Sequence, residues 1–412
     1  MTRIVEFPNP QRRAIDVVKE VAIAKECQPF LVGGPVRDLL LSRNVLDLDL
    51  TLEEGSSTLA RALAKRIEGR LRSFPQFLTY KVTSVGFPEI DIATARKERY
   101  RSPGSLPTVT AGKLKDDLLR RDFSINAMAL DLINGSIHDP AGGQRDLAAR
   151  TIRVLHDQSF IDDPTRAFRA IRLARRLGFT IEPHTAALMR DAISSGALST
   201  ISKERLWREL FLAMDERDAP KVLAALHKEG ALAGLFSADV AAPDAEALER
   251  LRRQVEDQPG LDRYVLYTGV LLRGSDATAA HLEGSGFSQK RARNTLQIAR
   301  DLARFEKALS ETATDRQRFR LLKKASPELL TLVGADRPAQ RDLVSRFQEF
   351  QRFKLPLRGN DLEVPGGPHV ARALERTREA VFTGEITADQ ARTFARDLAI
   401  QYLSREQPAE HQ

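Results

Sequence analysis

Apolar and polar positions divide the chain into a first part of short strands and helices and a longer second part that is helical in period. Between positions 11 and 27, Ile15, Val18, Val21 and Ile23 recur among charges, which predicts an amphipathic helix ahead of the first strand. Phe30-Leu31-Val32 is a short apolar run suited to a buried strand, and Val36 to Leu41 has helical character. Leu46-Asp47-Leu48-Asp49-Leu50 alternates at period two, so Asp47 and Asp49 project from one face while Leu46, Leu48 and Leu50 enter the core. Ser56-Ser57 before Leu59, Leu63 and Ile67 predicts a capped helix. Phe77 to Gly86 and Glu89 to Ala93 predict two strands joined by a turn near Pro88. Residues 96–119, polar and broken by Pro103, Gly104 and Pro107, read as a mobile loop without a regular element. From Leu212 onward Leu, Ala, Arg and Glu recur at helical spacing, with breaks near Gly230, Pro243, Gly260 and Gly274.

Length and charge narrow the class. A chain of 412 residues exceeds one ordinary core. The formal charge of +8 suits an acidic polymer as partner, although a mildly basic balance is common among soluble proteins. Cys27 is the only cysteine, which rules out an intrachain disulfide and a structural zinc with several thiolates and fits a reducing cytoplasm. The opening residues lack the apolar core of a signal peptide, and no apolar run is long enough to span a bilayer. The sequence shows neither an internal repeat nor a low-complexity tract.

Chemistry concentrates in a few stretches. Two carboxylates on one rigid strand suit hard divalent cations, whereas Asp-x-Asp alone is common on loops. Gly33-Gly34 after a strand is either a tight turn or a cradle where backbone N–H groups approach an anion, and Arg37 one turn later can reach the same anion. Pro35 has no N–H to donate, so any cradle uses its neighbours. Asp91, in Ile90-Asp91-Ile92, is either a third carboxylate on an adjacent strand or a solvent-facing residue. In Asp162-Asp163-Pro164-Thr165-Arg166, Asp163 reads as a helix cap and Pro164 as the first helical residue, with Gly178 as the terminator. At about 100° per residue, Arg169, Arg172, Arg175 and Arg176 share a basic arc while Arg166 falls among apolar neighbours, where a guanidinium wants a planar partner.

Leu31-Val-Gly-Gly-Pro-Val-Arg-Asp-Leu-Leu-Leu41 followed by Asp47-x-Asp49 resembles the motif of class II tRNA nucleotidyltransferases (CCA-adding enzymes) and bacterial poly(A) polymerases, within the nucleotidyltransferase superfamily of DNA polymerase beta. Arg120-Arg121-Asp122-Phe-Ser-Ile-Asn126-Ala resembles the family's ribose-recognition motif, and Asp162-Asp163-x-x-Arg166 its Glu-Asp-x-x-Arg base-recognition motif, with Asp in place of the Glu. Ile201 to Leu210 resembles its last neck motif, in which Glu204, Arg205 and Glu209 position neighbouring elements, with Ser202 as cap. The resemblance implies an α+β chain: a mixed-sheet catalytic head over 1–152, an all-α neck over 153–215, and a helical body and tail over 216–412 that binds tRNA. It implies Asp47 and Asp49 as catalytic ligands of Mg2+, with Asp91 a candidate third. Triphosphate contact falls to Gly33, Gly34 and Arg37, ribose contact to Arg121, Asp122 and Asn126, and base contact to Asp163, Arg166 and Arg169. Lys290, Arg291 and Arg293 open a basic stretch suited to an RNA backbone or to a solvated face.

The expected activity is template-independent addition of C and A to the tRNA 3′ end from CTP and ATP. The 96–119 segment, full length here, accompanies final adenine addition in the family. The alternatives are an enzyme adding only A or only CC beside a partner nucleotidyltransferase, a poly(A) polymerase, or a non-catalytic RNA-binding protein that has kept the fold. A metal-dependent phosphohydrolase extension is not expected, because His184, His227, His281 and His369 are dispersed through the later chain.

Overall fold

A computed structural model of the chain describes residues 9–45, 47–236, 242, 245–258, 260–273, 277–336, 338–355 and 357–406. Leu46, Pro243 and Gly274, named above, lie outside them. The chain divides into two units, Met1–Leu235 and Phe236–Gln412.

The first unit opens with α1 (Asn9–Ala24), β1 (Phe30–Val32), α2 (Gly34–Leu40), β2 (Leu48–Leu52) and α3 (Ser56–Arg66). Strands β3 (Arg70–Phe74), β4 (Thr79–Thr83) and β5 (Ile90–Thr94) follow, then a ribbon of β6 (Arg96–Arg99) and β7 (Thr108–Ala111) and the short helix α4 (Leu114–Leu119). Two more strands, β8 (Ala129–Asp131) and β9 (Ile137–His138), complete a 7-stranded sheet of order β3-β4-β5-β2-β1-β8-β9. The sheet is mixed, with β2 and β5 parallel and its other pairs antiparallel. β2 and β5 pair with Leu48 opposite Ile90, Asp49 opposite Asp91 and Leu50 opposite Ile92, which sets both acids on one face and the apolar residues on the other. Leu48, Leu50, Ile90 and Ile92 are buried, and α3 packs against β3, β4 and β5 through its buried Leu59 and Leu63. β1 is buried at all three positions. Phe30 and Val32 cluster with Ala129 of β8 and with Leu114 and Leu118 of α4.

Helices α5 (Gly143–Ala148), α6 (Ser159–Asp162), α7 (Thr165–Leu177), α8 (Pro183–Ser194), α9 (Lys203–Met214) and α10 (Ala219–Lys228) finish this unit. α7 ends at Gly178, whose φ of 69° takes the left-handed conformation that terminates helices. Its buried face carries Ala170, Ile171 and Leu173, and α9 and α10 pack against it. The division after Leu235 groups α10 with the head and neck, whereas a boundary at 215 assigns it to the body. Val222, Leu223 and Leu226 of α10 are buried, and the helix packs on α7 and α9.

The segment 96–119 is not a loop. Arg96 pairs with Ala111 and Arg99 with Thr108 in an antiparallel ribbon, and α4 follows directly. Neither strand of the ribbon has a buried residue, so no apolar alternation marks it in the sequence. β3 is missed for the same reason: Arg70-Leu-Arg-Ser-Phe is a polar edge strand.

The second unit is helical among its described residues: α11 (Ala245–Asp257), α12 (Arg263–Leu271), α13 (Gln289–Glu311), α14 (Asp315–Leu322), α15 (Pro327–Asp336), α16 (Pro338–Arg352), α17 (Pro368–Phe382) and α18 (Ala391–Glu406). Phe319, Phe347 and Phe382 form one ring cluster, and Ala391, Ala395 and Ala399 of α18 pack beside Leu362 and Ala373. No helix among the described residues is long and apolar enough to cross a membrane.

Because Leu50 is 1 % exposed, Leu50→Ala leaves a cavity under the strand that carries Asp49. Its expected cost is about 2–5 kcal/mol, read as a lowered denaturant midpoint for the first unit. A loss below about 1 kcal/mol would contradict the packing described for β2.

Candidate active site

The turn from β1 into α2 is built around an arginine from elsewhere in the chain. Gly33 has a φ of 75°, and a Cβ there would stand 2.3 Å from Arg121 Nη1, so this position needs glycine twice over. Its N–H donates to the Met128 carbonyl at 3.1 Å and is not free for an anion. The glycine therefore makes room for the Arg121 guanidinium instead of lending its own N–H to a phosphate. Arg121 Nη2 donates to Asp117 Oδ2 at 3.1 Å, while its buried Nε has no hydrogen-bond partner among the described residues. Asp117 also holds Arg120, through Nε at 3.0 Å and Nη2 at 2.7 Å. Asp117 is fully buried and was not among the expected site residues. Its signal in the sequence, an acid three and four residues before paired arginines on a short helix, is that of an ion-pair anchor.

Asp49 lies within β2, whereas Asp47 precedes the strand. Burial pushes the Asp49 carboxyl up to about 6; Arg121 opposes the rise, and repulsion from Asp91 and Asp47 adds to it. Crowded carboxylates of this kind fit a hard divalent cation, whose charge relieves the repulsion. Asp91 stands opposite Asp49 on the same face of the sheet, with Lys81 Nζ 3.5 Å from it. Among the described residues no three acid, histidine or cysteine side chains converge as a metal-binding group.

Asp122 is buried and fully engaged. Its Oδ1 accepts from the Phe123 N–H and from Asn126 Nδ2, both at 2.9 Å. Its Oδ2 accepts from Arg169 Nε at 2.9 Å and Nη2 at 2.6 Å. Burial opposes the charge on Asp122, but the Arg169 guanidinium and the Asn126 hydrogen bond hold its carboxyl down at about 2. Asn126 Oδ1 in turn accepts from Arg37 Nη1 at 2.6 Å, and both oxygens of Asp38 accept from the same guanidinium. Neither Asp122 as a free acceptor for ribose nor Arg169 as a free donor to a base describes this arrangement. The two hold each other.

Asp163 sits between α6 and α7 in an extended conformation, one residue before the α7 cap at Pro164. Its Oδ1 accepts from the Thr165 N–H at 3.2 Å, from Thr165 Oγ1 at 2.6 Å and from Arg205 Nη2 at 2.8 Å. Its Oδ2 has no partner among the described residues. Arg166 is 5 % exposed and donates through Nη1 to Ser159 Oγ at 2.6 Å and through Nη2 to the Arg120 carbonyl at 2.9 Å. Arg205 donates through Nη1 to the Gly104 carbonyl at 2.9 Å, tying the tip of the β6–β7 ribbon to Asp163. Gly104 has a φ of 69°, and a Cβ there would stand 2.2 Å from Thr200 Oγ1.

Gly34, Arg37, Asp47, Asp49, Asn126 and Asp163, with Arg121, Asp122, Arg166 and Arg169, line one cavity of about 700 Å3. Arg172 and Arg176 of the basic arc line it too, as do Glu98 and Tyr100, which were not singled out from the sequence. A larger cavity of about 1020 Å3, between Cys27, Glu53, Lys113 and His138, contains none of the expected site residues. In the second unit Arg291 is committed elsewhere: it donates to both oxygens of Asp262, at 2.6 Å and 2.9 Å, and stands over the Phe287 ring. Lys290 and Arg293 share the start of α13 with it, and Arg293 lines a separate groove with Arg300 and Arg304.

Residues 29–153 match the model of the poly A polymerase head domain, and residues 178–243 match that of a probable RNA and SrmB binding site of polymerase A. An A-adding tRNA nucleotidyltransferase of Aquifex aeolicus is 32% identical over 340 residues, which cover 79% of this chain and 41% of that protein. A multifunctional CCA protein of Xanthomonas campestris pv. campestris is 37% identical over 243 residues, covering 57% of this chain and 55% of that protein. A solved CCA-adding enzyme in an apo form superposes with a TM-score of 0.82 at 26% identity, covering 98% of this chain and 97% of the other. The Thermotoga maritima CCA-adding enzyme complexed with tRNA gives 0.79 at 25% identity, covering 98% of this chain and 97% of the other. The chain spans 29% to 60% of the length of the A-adding relatives it matches.

The Asp122 carboxyl lies below its unfolded value, so its stabilisation is complete above about pH 4 and disappears as pH falls through about 2. Asp122→Asn is expected to cost about 2–3 kcal/mol at pH 7. The gap between wild type and variant in urea unfolding should shrink by about half at pH 3. A gap that stays constant with pH would contradict the pairing.

Proposed function

Because the chain belongs to the family of class II tRNA nucleotidyltransferases and poly(A) polymerase heads, we propose that it adds C and A, without a nucleic-acid template, to the 3′ end of tRNA from CTP and ATP. One observation carries the reading: a single cavity is lined by a carboxylate pair, an arginine cluster and an acid–arginine pair. Those are the needs of a metal-assisted transfer, a triphosphate and a nucleobase.

At the base end, Asp163 Oδ2 accepts from the exocyclic amino group that C and A share, and Arg166 donates to the ring nitrogen or carbonyl beside it. U and G present no amino group at that place. Oδ1 is held by Thr165 and Arg205, so the acceptor is fixed in direction before a nucleotide arrives. Ser159 and the Arg120 carbonyl do the same for the Arg166 donor. The ribose lies against Asn126 and Arg169, which Asp122 holds in place. Arg121 and Arg37, which line the same cavity, engage the phosphates. Asp47 and Asp49 would hold Mg2+, which when bound supplies activation of the 3′-hydroxyl and neutralisation of phosphate charge.

A second reading, addition of the terminal A alone, is favoured by the A-adding relative that aligns with 79% of this chain. Transcripts ending at the discriminator base, in C and in CC separate the two. Completion to CCA from the shortest acceptor supports the first reading, and extension only of the acceptor ending in CC, by A, supports the second. Long A tails on unrelated RNA would instead indicate a poly(A) polymerase. Asp49→Ala is expected to lower transfer by about a thousandfold or more while tRNA retention in a gel-shift assay stays unchanged. An active Asp49→Ala protein would remove the metal assignment.

A further inference from the structure

Arg166, Arg169, Arg172 and Arg176 all stand on α7 and all line the cavity. At about 1.5 Å per residue the helix advances about 15 Å from Arg166 to Arg176, comparable with the length of an extended nucleoside triphosphate. The N-terminal end of this row meets Asp163. Its C-terminal end meets Arg37, which lines the same cavity beside Gly34.

Arg176 differs from its neighbours in having almost nothing to hold. Among the described residues its guanidinium makes no hydrogen bond, and its nearest acid is Glu216 Oε1, 3.8 Å from Nη1. That oxygen lies closer to Arg172 Nη1, at 3.3 Å. Asp38 also faces Arg176, but both its oxygens accept from Arg37. The other charged groups facing Arg176 are Arg37 and Arg43, of its own sign. Arg43 donates to the Arg176 carbonyl at 3.4 Å, fixing the backbone while the side chain, 41 % exposed, stays available. This end of the cavity therefore carries surplus positive charge in a form that suits bidentate binding of phosphate oxygens. Arg175, the adjacent residue, lines a different groove with Gly178 and Asp218.

We propose that Arg176 takes the terminal phosphates of the incoming nucleoside triphosphate and so distinguishes triphosphates from monophosphates. The inference rests on the cavity being the nucleotide site proposed above. In this arrangement α7 reads the substrate along its length: base at Arg166, sugar at Arg169, and the far phosphates at Arg176.

The test is binding of ATP and of AMP, by competition against labelled ATP with Mg2+ present, to the full chain and to Arg176→Ala, Arg176→Lys and Arg175→Ala. Transfer kinetics on tRNA ending in CC are measured beside it. For Arg176→Ala we expect ATP binding about tenfold weaker, AMP binding unchanged, and a higher KM for ATP with a smaller change in kcat. Arg176→Lys recovers part of the loss, and Arg175→Ala matches wild type. Equal weakening of ATP and AMP would mean a structural role, and a similar loss in Arg175→Ala would mean a general field; either overturns the proposal, as does unchanged ATP binding in Arg176→Ala. Should Arg176→Ala melt far below wild type, Arg176→Lys and Arg176→Gln carry the same ATP-to-AMP comparison. A wild-type chain that binds neither nucleotide and transfers nothing overturns the nucleotide-site reading itself, whereas failure of Arg176 alone leaves that reading standing.

Discussion

A line of charge-assisted hydrogen bonds runs from Asp38 through Arg37, Asn126 and Asp122 to Arg169, and the candidate site depends on it. It joins α2, the turn after the Arg-Arg-Asp motif, and α7. Burying the Asp122 carboxylate would be costly if any of its acceptor positions were left empty. Four donors fill them, and one guanidinium supplies two of the four. A connection of this kind adds modest net stability but fixes direction, because each member has few alternative partners. α7 is the part most affected, since Arg166, Arg172 and Arg176 reach the cavity from the same helix that Arg169 anchors.

The glycine turn shows how one side chain takes over from backbone. Gly-Gly after a strand suggests N–H groups aimed at an anion, yet Gly33 spends its N–H on Met128 and Pro35 has none. The missing Cβ of Gly33 serves Arg121, whose guanidinium occupies that space and faces Asp49. A phosphate entering this cavity would meet guanidinium groups, which keep their charge at any working pH and match phosphate oxygens in pairs. The row of arginines along α7 continues the same solution.

Much of this was legible in the sequence, for physical reasons that also explain the rest. The alternation around Asp49, the apolar run of β1 and the Gly178 terminator leave strong marks, because burial and backbone conformation constrain which residues fit. The β6–β7 ribbon and β3 leave none, since strands without a buried face have no period to read. Partner choice was the second blind spot. Asp122 and Arg169 were each legible as site residues, but nothing in their spacing says that they satisfy each other. Asp117 illustrates it, a buried anchor for Arg120 and Arg121 that its spacing alone did not single out.

Reading a base without a template asks for an acceptor and a donor that do not move. Residues 104, 163 and 205 are far apart in sequence, yet they meet here: Arg205 spans the Gly104 carbonyl and Asp163 Oδ1, while Ser159 holds Arg166. Every hydrogen bond that fixes Asp163 falls on one oxygen. The other has no partner among the described residues, and under the proposed role a base lacking the matching amino group would leave it desolvated and unpaired. Under the proposed role, selectivity comes from what the protein withholds from its own side chain, and the ribbon tip bears on it because its Gly104 carbonyl holds the Arg205 that holds Oδ1.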